Sequence, residues 1–233
     1  NGSVTQIGNG FVGASAVAVA TDGTVYVADR IQNLVLAISP INGVITSVGS
    51  GFRSPSGLVT DSNGNLYVAD TGNSRIVWIC TEYELLSPTN PTVGDMSIVS
   101  SSFIQPYGLV VDRMGQLIVS DVGSQTLTRY NSFKEPITME TTNVTIPASL
   151  TMDSSGNLFV ADGASNTITR ISPTTNGSIV LPSSHEFARI RGIAADTEGN
   201  IFAIDGGNAT VPPIVWKISK VGVMSTMGRG YIA

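Results

Sequence analysis

The chain has 233 residues, of which 42% are hydrophobic and only 12% are charged, and its formal net charge is −5 at pH 7. Twelve lysine and arginine residues against seventeen aspartate and glutamate residues leave no basic surface for a nucleic-acid backbone. No apolar stretch reaches the ~18 residues that a transmembrane helix needs. The single cysteine, Cys80, excludes an intramolecular disulfide.

A ten-residue segment with a central glycine turn recurs five times along the chain. The copies are ATDGTVYVAD (20–29), DSNGNLYVAD (61–70), DRMGQLIVSD (112–121), DSSGNLFVAD (153–162) and DTEGNIFAID (196–205). Successive turn glycines lie 41, 51, 41 and 43 residues apart. A period in the forties that is built from strand and turn signals is typical of a β-propeller blade.

Each copy belongs to a unit with the same predicted order of strands. A short apolar strand such as PSGLVTD (55–61) leads into the glycine turn, which is a strong hairpin signal. The second strand ends on an aspartate, and a polar loop then leads to a third strand such as RIVWIC (75–80). A fourth strand is clear at 43–51 and at 222–230 and weaker elsewhere. Helical periodicity is missing throughout, so the sequence predicts an all-β fold.

The second unit, PSGLVTDSNGNLYVADTGNSRIVWI (55–79), resembles the NHL repeat family. The units of that family run close to P-x-G-L-x-V-D-x-x-G-N-L-Y-V-A-D-T-G-N-x-R-I, and the likeness extends over essentially the whole chain. The resemblance implies a propeller of four-stranded antiparallel blades around a central channel, most often with six blades.

The two ends of the chain also resemble parts of the repeat. Residues 1–11 read like the fourth strand at 42–52, and residues 229–233 read like the start of the first strand at 191–196. The sequence therefore predicts one domain over 1–233, with a partial sixth blade formed by 1–11 and 229–233. The five full units are 12–52, 53–102, 103–145, 146–186 and 187–228.

Three explanations remain open for the two missing strands of that sixth blade. The chain could be a piece of a longer parent, a five-bladed ring with extra end strands, or an acceptor of strands from a neighbour. The first explanation is favoured, because propellers of this kind commonly complete one blade from both termini and so remove exposed sheet edges.

Ten of the eleven aspartates fall at repeat positions. Those residues are Asp22, Asp29, Asp61, Asp70, Asp112, Asp121, Asp153, Asp162, Asp196 and Asp205. Periodic placement favours turn chemistry, in which the carboxylate accepts hydrogen bonds from nearby backbone N–H groups, over a ring of metal ligands.

The chain lacks the sets of active-site residues that the resemblance to enzymes related to this family implies. The resemblance to amidating lyases and streptogramin lyases implies several histidines at the channel, but the chain has only His185, next to Glu186. The resemblance to calcium-dependent lactonases implies carboxylates and asparagines there, but six glutamates and the turn aspartates leave few ligands. The sequence therefore predicts no catalytic, cofactor-binding or metal-binding residue, and no cofactor.

Four Asn-x-Ser/Thr sequons occur, at Asn1, Asn143, Asn176 and Asn208. Asn176 and Asn208 fall in polar loops that would tolerate a glycan. The scarcity of lysine also suits a surface that is partly covered by sugar. The sequence thus predicts a glycosylated, secreted or extracellular protein.

Insertions mark the loops that are expected to contact a partner. The largest is the loop 81–96, and a second lies near the VPP segment. The predicted contact residues are Glu82, Tyr83, Asp95, Val211, Pro212 and Pro213. A protein partner, or self-association through these loops or an open blade edge, is expected, with no nucleic acid and no membrane span.

These features favour a non-enzymatic extracellular interaction or structural module, including a glycosylated subunit of a larger assembly. Two alternatives remain open. One is a lyase or hydrolase that acts in the propeller channel, and the other is the sensor ectodomain of a bacterial receptor.

Overall fold

A computed structural model describes residues 6–81, 94–131, 135–139, 143–173, 177–181, 187–208 and 212–229. Twenty strands in these ranges form five four-stranded antiparallel sheets. The chain divides into two compact units, Asn1–Val111 and Asp112–Ala233, and each is described by itself. None of the described residues belongs to a helix long and apolar enough to cross a membrane.

The first unit contains two complete sheets and one further strand. The first sheet runs β1 (Ala14–Val19), β2 (Val25–Asp29), β3 (Leu34–Ile38) and β4 (Ile45–Ser47). The second runs β5 (Gly57–Thr60), β6 (Leu66–Asp70), β7 (Arg75–Ile79) and β8 (Met96–Ser100), with a 3₁₀ turn at Thr71–Asn73. The further strand is β9 (Pro106–Val111).

The second unit begins with β10 (Leu117–Asp121), β11 (Thr126–Tyr130) and β12 (Pro136–Met139), which follow β9 in the order of the third sheet. The fourth sheet runs β13 (Pro147–Met152), β14 (Leu158–Asp162), β15 (Ile168–Ile171) and β16 (Ser178–Val180). The fifth runs β17 (Ile190–Ala195), β18 (Ile201–Asp205), β19 (Ile214–Ile218) and β20 (Met224–Arg229). The prediction of five full antiparallel blades is confirmed.

The second and third strands of the sheets supply most of the core. Their β-branched and aromatic residues suit a pleated surface that is covered on both faces. In the first unit Leu66, Val68 and Ile79 are fully buried in one cluster. In the second unit Ile168 and Ile201 lie in another cluster with Phe159 and Phe187. Apolar burial of this kind is the main favourable term in folding.

The aspartates before the glycine turns hold those turns closed. Asp153 Oδ1 accepts hydrogen bonds from the backbone N–H groups of Ser155 and Asn157, at 2.8 and 2.9 Å. Asp61, Asp112 and Asp196 accept the equivalent pairs of bonds in their own turns. The predicted turn chemistry is therefore confirmed at these four positions.

The aspartates at the ends of the second strands are buried, and two of them join the segment before the first strand to the loop after the second strand. Asp162 accepts backbone N–H bonds from Thr145 and Ile146 before β13 and from Ala164 and Ser165 after β14. Asp29 makes the corresponding four contacts in the first sheet. These carboxylates satisfy loop donors that would otherwise be buried without an acceptor.

Acid should therefore destabilise the protein. Burial alone would raise the pKa of Asp29 and of Asp162, but the backbone hydrogen bonds outweigh it and lower both pKa values below 3.8. A carboxyl whose pKa is lower in the folded state stabilises fully above the unfolded pKa, and this contribution disappears as pH falls through the folded pKa. We expect the free energy of unfolding to be level near neutral pH and to fall below about pH 4. Urea denaturation at several pH values would measure this, and a level profile down to pH 2 would contradict it.

A close approach in the first unit requires glycine at position 57. A Cβ on Gly57 would overlap the backbone carbonyl oxygen of Tyr107 on β9. The Gly57→Ala variant should therefore lose about 3 kcal/mol or more of stability, because a backbone atom cannot move aside cheaply. Gly192 occupies the same repeat position on β17, where a Cβ would meet only Ile204 Cδ1 at 3.9 Å. Thermal unfolding should show a large loss for Gly57→Ala and a small one for Gly192→Ala, and equal losses would contradict the assignment.

The described residues do not support the predicted partial sixth blade. Arg229 is the last residue of β20 and pairs with Ile214, so it belongs to the fourth strand of the fifth sheet rather than to a new first strand. The register of this pairing shifts between Val215 and Trp216, so the six residues of β20 lie opposite the five residues of β19. Residues 6–11 form no strand. Residues 1–5 and 230–233 lie outside the described part of the chain. The single-domain organisation over 1–233 stays a prediction.

Candidate functional site

A cleft of about 200 Å³ opens between the fourth and fifth sheets, within the second unit. Turn residues form its rim: Asp153, Ser154, Ser155 and Asn157 after β13, Glu198 and Gly199 after β17, and Ser219 and Lys220 after β19. Phe159, Arg170, Leu181 and Ile201 complete the lining. The cleft thus combines an apolar wall with two cationic and two anionic side chains.

Hydrogen bonds hold the two hairpin turns of the rim in fixed positions. Asn157 Nδ2 donates to Asp153 Oδ2 at 2.7 Å, and Asn200 Nδ2 donates to Asp196 Oδ2 at the same distance. Ser154 Oγ donates to the carbonyl oxygen of Thr197 at 3.0 Å, which joins the first turn to the second. A rim fixed in this way can position reactive groups with little reorganisation.

Glu198 carries the carboxylate with unused acceptor capacity. Its side chain is exposed, and among the described residues it accepts one hydrogen bond, from Asn200 Nδ2 at 3.2 Å. Asp153, in contrast, accepts three hydrogen bonds within its own turn. The hydrogen bond from Asn200, followed by backbone N–H bonds, lowers the pKa of the neighbouring Asp196. Glu198 is therefore the group in the cleft best able to accept a proton.

Two cations face the same space. Lys220 is exposed, and its Cβ lies 3.8 Å from the place where a Cβ on Gly199 would stand, so its stem packs against the turn that carries Glu198. Arg170 is half-buried on β15. Within the described residues neither side chain forms a hydrogen bond or an ion pair. Both cations can therefore stabilise negative charge on a bound molecule.

Glu198 and Lys220 occupy repeat positions whose residue changes from copy to copy. Ser155 stands in the fourth sheet where the fifth has Glu198. Pro173 is the residue of the fourth sheet that corresponds to Lys220 of the fifth sheet, since each lies next to the glycine of its own hairpin turn. Neither residue is among those predicted from the sequence. The repeat itself does not single out Glu198, because the other copies have Asp22, Asn63, Met114 and Ser155 at that position.

The residues predicted from the sequence do not lie in the cleft. Asn143 and Asn208 are exposed sequon residues, and Asn143 Nδ2 donates to Ser178 Oγ at 3.4 Å. Asp95 is exposed before β8, and Pro212 and Pro213 are exposed before β19. Asn1, Glu82, Tyr83, Asn176, His185, Glu186 and Val211 lie outside the described residues.

The described residues do not offer a metal centre. No group of three or more histidine, cysteine, aspartate or glutamate side chains among them is arranged to hold a metal ion. The buried aspartates that could supply oxygen ligands already accept backbone hydrogen bonds.

Comparison with known proteins identifies the repeat and the fold. Residues 52–79 match the NHL repeat model. No curated protein matches the chain by sequence. Among solved structures, virginiamycin B lyase from Staphylococcus aureus is 16% identical with a TM-score of 0.70, over 92% of this chain and 69% of that one. A gluconolactonase from Xanthomonas campestris is 14% identical with a TM-score of 0.75, over 95% and 77%. A nidogen/laminin complex contains a chain that is 17% identical with a TM-score of 0.74, over 92% and 78%.

Residues 52–79 therefore match one NHL repeat, and the chain has the propeller fold of these structures. The comparisons also correct the main functional prediction from the sequence, which was a non-enzymatic interaction or structural module. The solved structures that share the fold include lyases and gluconolactonases, so the alternative of a lyase or hydrolase fits better. The sequence analysis reached the wrong conclusion because it required the metal and histidine sets of known enzymes.

Proposed function

We propose that this protein is an enzyme, a lyase or hydrolase, whose chemistry takes place in the cleft between the fourth and fifth sheets. Glu198 is the general base, and Lys220 stabilises the negative charge that develops on the substrate. The observation that carries the proposal is the exposed Glu198 carboxylate, which has one hydrogen bond from a described residue. It shares the cleft with Arg170 and Lys220, two cations that have no partner among the described residues.

The same pair of residues can serve either reaction class. In hydrolysis of an ester, Glu198 takes a proton from a water molecule as the water oxygen attacks the carbonyl carbon. The carbonyl oxygen becomes negative and lies near the Lys220 ammonium group. The bond from the carbonyl carbon to the ester oxygen then breaks, and the leaving oxygen takes the proton from Glu198. In elimination, Glu198 takes a proton from carbon, a double bond forms, and the leaving oxygen receives the electron pair. Both reactions need a base and a nearby positive charge.

The comparisons support the reaction class rather than a particular substrate. One solved structure of the same fold is a gluconolactonase, which by its name acts on a lactone, and two others are lyases. At identities of 14–19% the comparisons show the fold alone, so the proposal rests on the residues of the cleft. Cyclic esters are therefore the first substrates to test.

A product screen with the purified protein would test the proposal. The panel is glucono-δ-lactone, unsubstituted γ- and δ-lactones, γ- and δ-lactones that carry a carboxylate group, and quinupristin, which accompanies a virginiamycin B lyase in a solved structure. Mass spectrometry separates the two classes, because hydrolysis adds one water to a cyclic ester and elimination opens the ring without changing the mass. We expect turnover of at least one compound. No turnover at high protein concentration, with an authentic lactonase active in the same assay, would overturn the proposal.

The location of the protein and its partners stay predictions. An exposed Asn143 is compatible with a glycan on an extracellular protein. The intact mass of the natively produced protein would test this, since a mass equal to that of the bare chain would argue against glycosylation. A protein partner at the loops that contain Asp95 and Pro212 stays a prediction as well.

A further inference from the structure

Arg170 lies on the inner wall of the cleft rather than at its rim. It pairs across the sheet with Phe159 on β14 and with Ile179 on β16. Cross-strand partners project from the same face of a sheet, so Phe159 and Arg170 line the cleft side by side. Arg170 is half-buried, whereas Glu198 and Lys220 are exposed. Arg170 is therefore less accessible to solvent than the base and the lysine.

A half-buried positive charge without a partner is unfavourable, and for Arg75 the fold supplies partners. In the first unit Arg75 Nε donates to Asp70 Oδ2 at 2.7 Å, and another Arg75 nitrogen donates to the Gly51 carbonyl at 3.1 Å. Arg170 has no such partner among the described residues. Its neighbours in the cleft include Phe159, Leu181 and Ile201. Partial removal from water strengthens the attraction of such a charge for an anion.

We propose that Arg170 binds a carboxylate group of the substrate, which makes the substrate a small cyclic ester that carries a separate acid group. This inference rests on the proposed function of the cleft. A planar guanidinium donates two parallel hydrogen bonds to the two oxygens of a carboxylate. The acid group lies at Arg170, and the ester is held towards the rim, next to Glu198 and Lys220. A volume of about 200 Å³ restricts the substrate to a small molecule.

Binding of an unreactive pair of probes would test this independently of catalysis. The probes are tetrahydropyran-4-carboxylate and the neutral tetrahydropyran-4-carboxamide, which have the ring and the acid position but no ester to cleave. Their affinities would be measured by NMR titration of the amide signals of Asn157 and Gly199. We expect the wild-type protein to bind the carboxylate about tenfold or more tightly than the carboxamide, because a hydrogen bond to a charged group is stronger than one to a neutral group.

Two matched variants test whether Arg170 is the source of the preference for the carboxylate probe. Arg170→Met keeps a long apolar side chain and should bind both probes equally. Arg129→Met is the control, because Arg129 occupies the same repeat position on β11 and its Nε also lacks a hydrogen-bond partner among the described residues, but it does not line the cleft. Arg129→Met should retain the preference. A circular dichroism spectrum like that of the wild type would show that each variant is folded.

The outcomes separate this inference from the proposed function. Equal binding of both probes by the wild type, or a preference that survives in Arg170→Met, overturns the role of Arg170 even if lactones are turned over. A preference that Arg170→Met abolishes, in a protein that turns over no cyclic ester, supports the carboxylate site and overturns the enzymatic proposal.

Discussion

Replacing Asp162 by alanine is expected to destabilise the protein by about 3–5 kcal/mol, because it leaves buried backbone N–H groups without an acceptor. Asp162 is 1% exposed and accepts four such groups, from Thr145, Ile146, Ala164 and Ser165. Each buried donor that loses its partner costs about 1–3 kcal/mol, and water entering the space vacated by the carboxylate recovers part of that cost. Urea denaturation of the variant would measure the loss.

A second aspartate in the same unit is the control for Asp162. Asp112 also accepts two backbone N–H groups, from Met114 and Gln116, but its turn is partly exposed and water can replace the carboxylate. Asp112→Ala should therefore cost only about 1 kcal/mol. Equal losses for the two variants would show that the buried carboxylate at the end of β14 is not a main source of stability.

Replacing Glu198 by glutamine is expected to lower kcat about 100-fold or more on any cyclic ester that the wild type turns over, since an amide cannot accept the proton. The hydrogen bond from Asn200 can be retained by the amide oxygen of the new side chain, so the stability and the KM should change little. Steady-state kinetics of the purified variant would measure both constants. A loss confined to KM would indicate that Glu198 binds the substrate rather than acting as the base.

Glu135 offers a matched control for Glu198. It is an exposed glutamate in the second unit, and it likewise accepts a hydrogen bond from an asparagine amide, Asn131 Nδ2 at 3.0 Å. It lies outside the cleft, so Glu135→Gln should retain full activity. If both substitutions reduce kcat to the same extent, Glu198 has no special role.

Much of the fold could be predicted from local sequence, because each blade repeats the same short-range chemistry. Asp153, Gly156 and Asn157 form a hairpin turn through contacts within five residues, so a single copy is enough to recognise it. The burial of Asp162 could not be read in the same way. Its partners at Thr145 and Ile146 lie 17 and 16 residues earlier in the chain, and the interpretation as a turn residue captured only half of its contacts.

The cleft could not be predicted, because it joins turns that are adjacent only in the folded chain. Ser154 contacts Thr197, 43 residues later, and Lys220 belongs to a third turn. The described residues do not support the partial sixth blade for a different reason. The segment that begins at residue 229 resembles the start of a first strand, whereas the backbone pairing of Arg229 with Ile214 places this residue in the fourth strand of the fifth sheet.

The most direct measurement of where the substrate binds is hydrogen exchange of the Glu198→Gln variant, with and without the best compound from the product screen. The variant should bind the compound but turn it over slowly. We predict slower amide exchange in the turns at 153–157 and 196–200, which form the rim of the cleft, and unchanged exchange in the equivalent turn at 112–116. Slower exchange elsewhere in the chain, with both rim turns unaffected, would contradict the assignment of this cleft as the catalytic site.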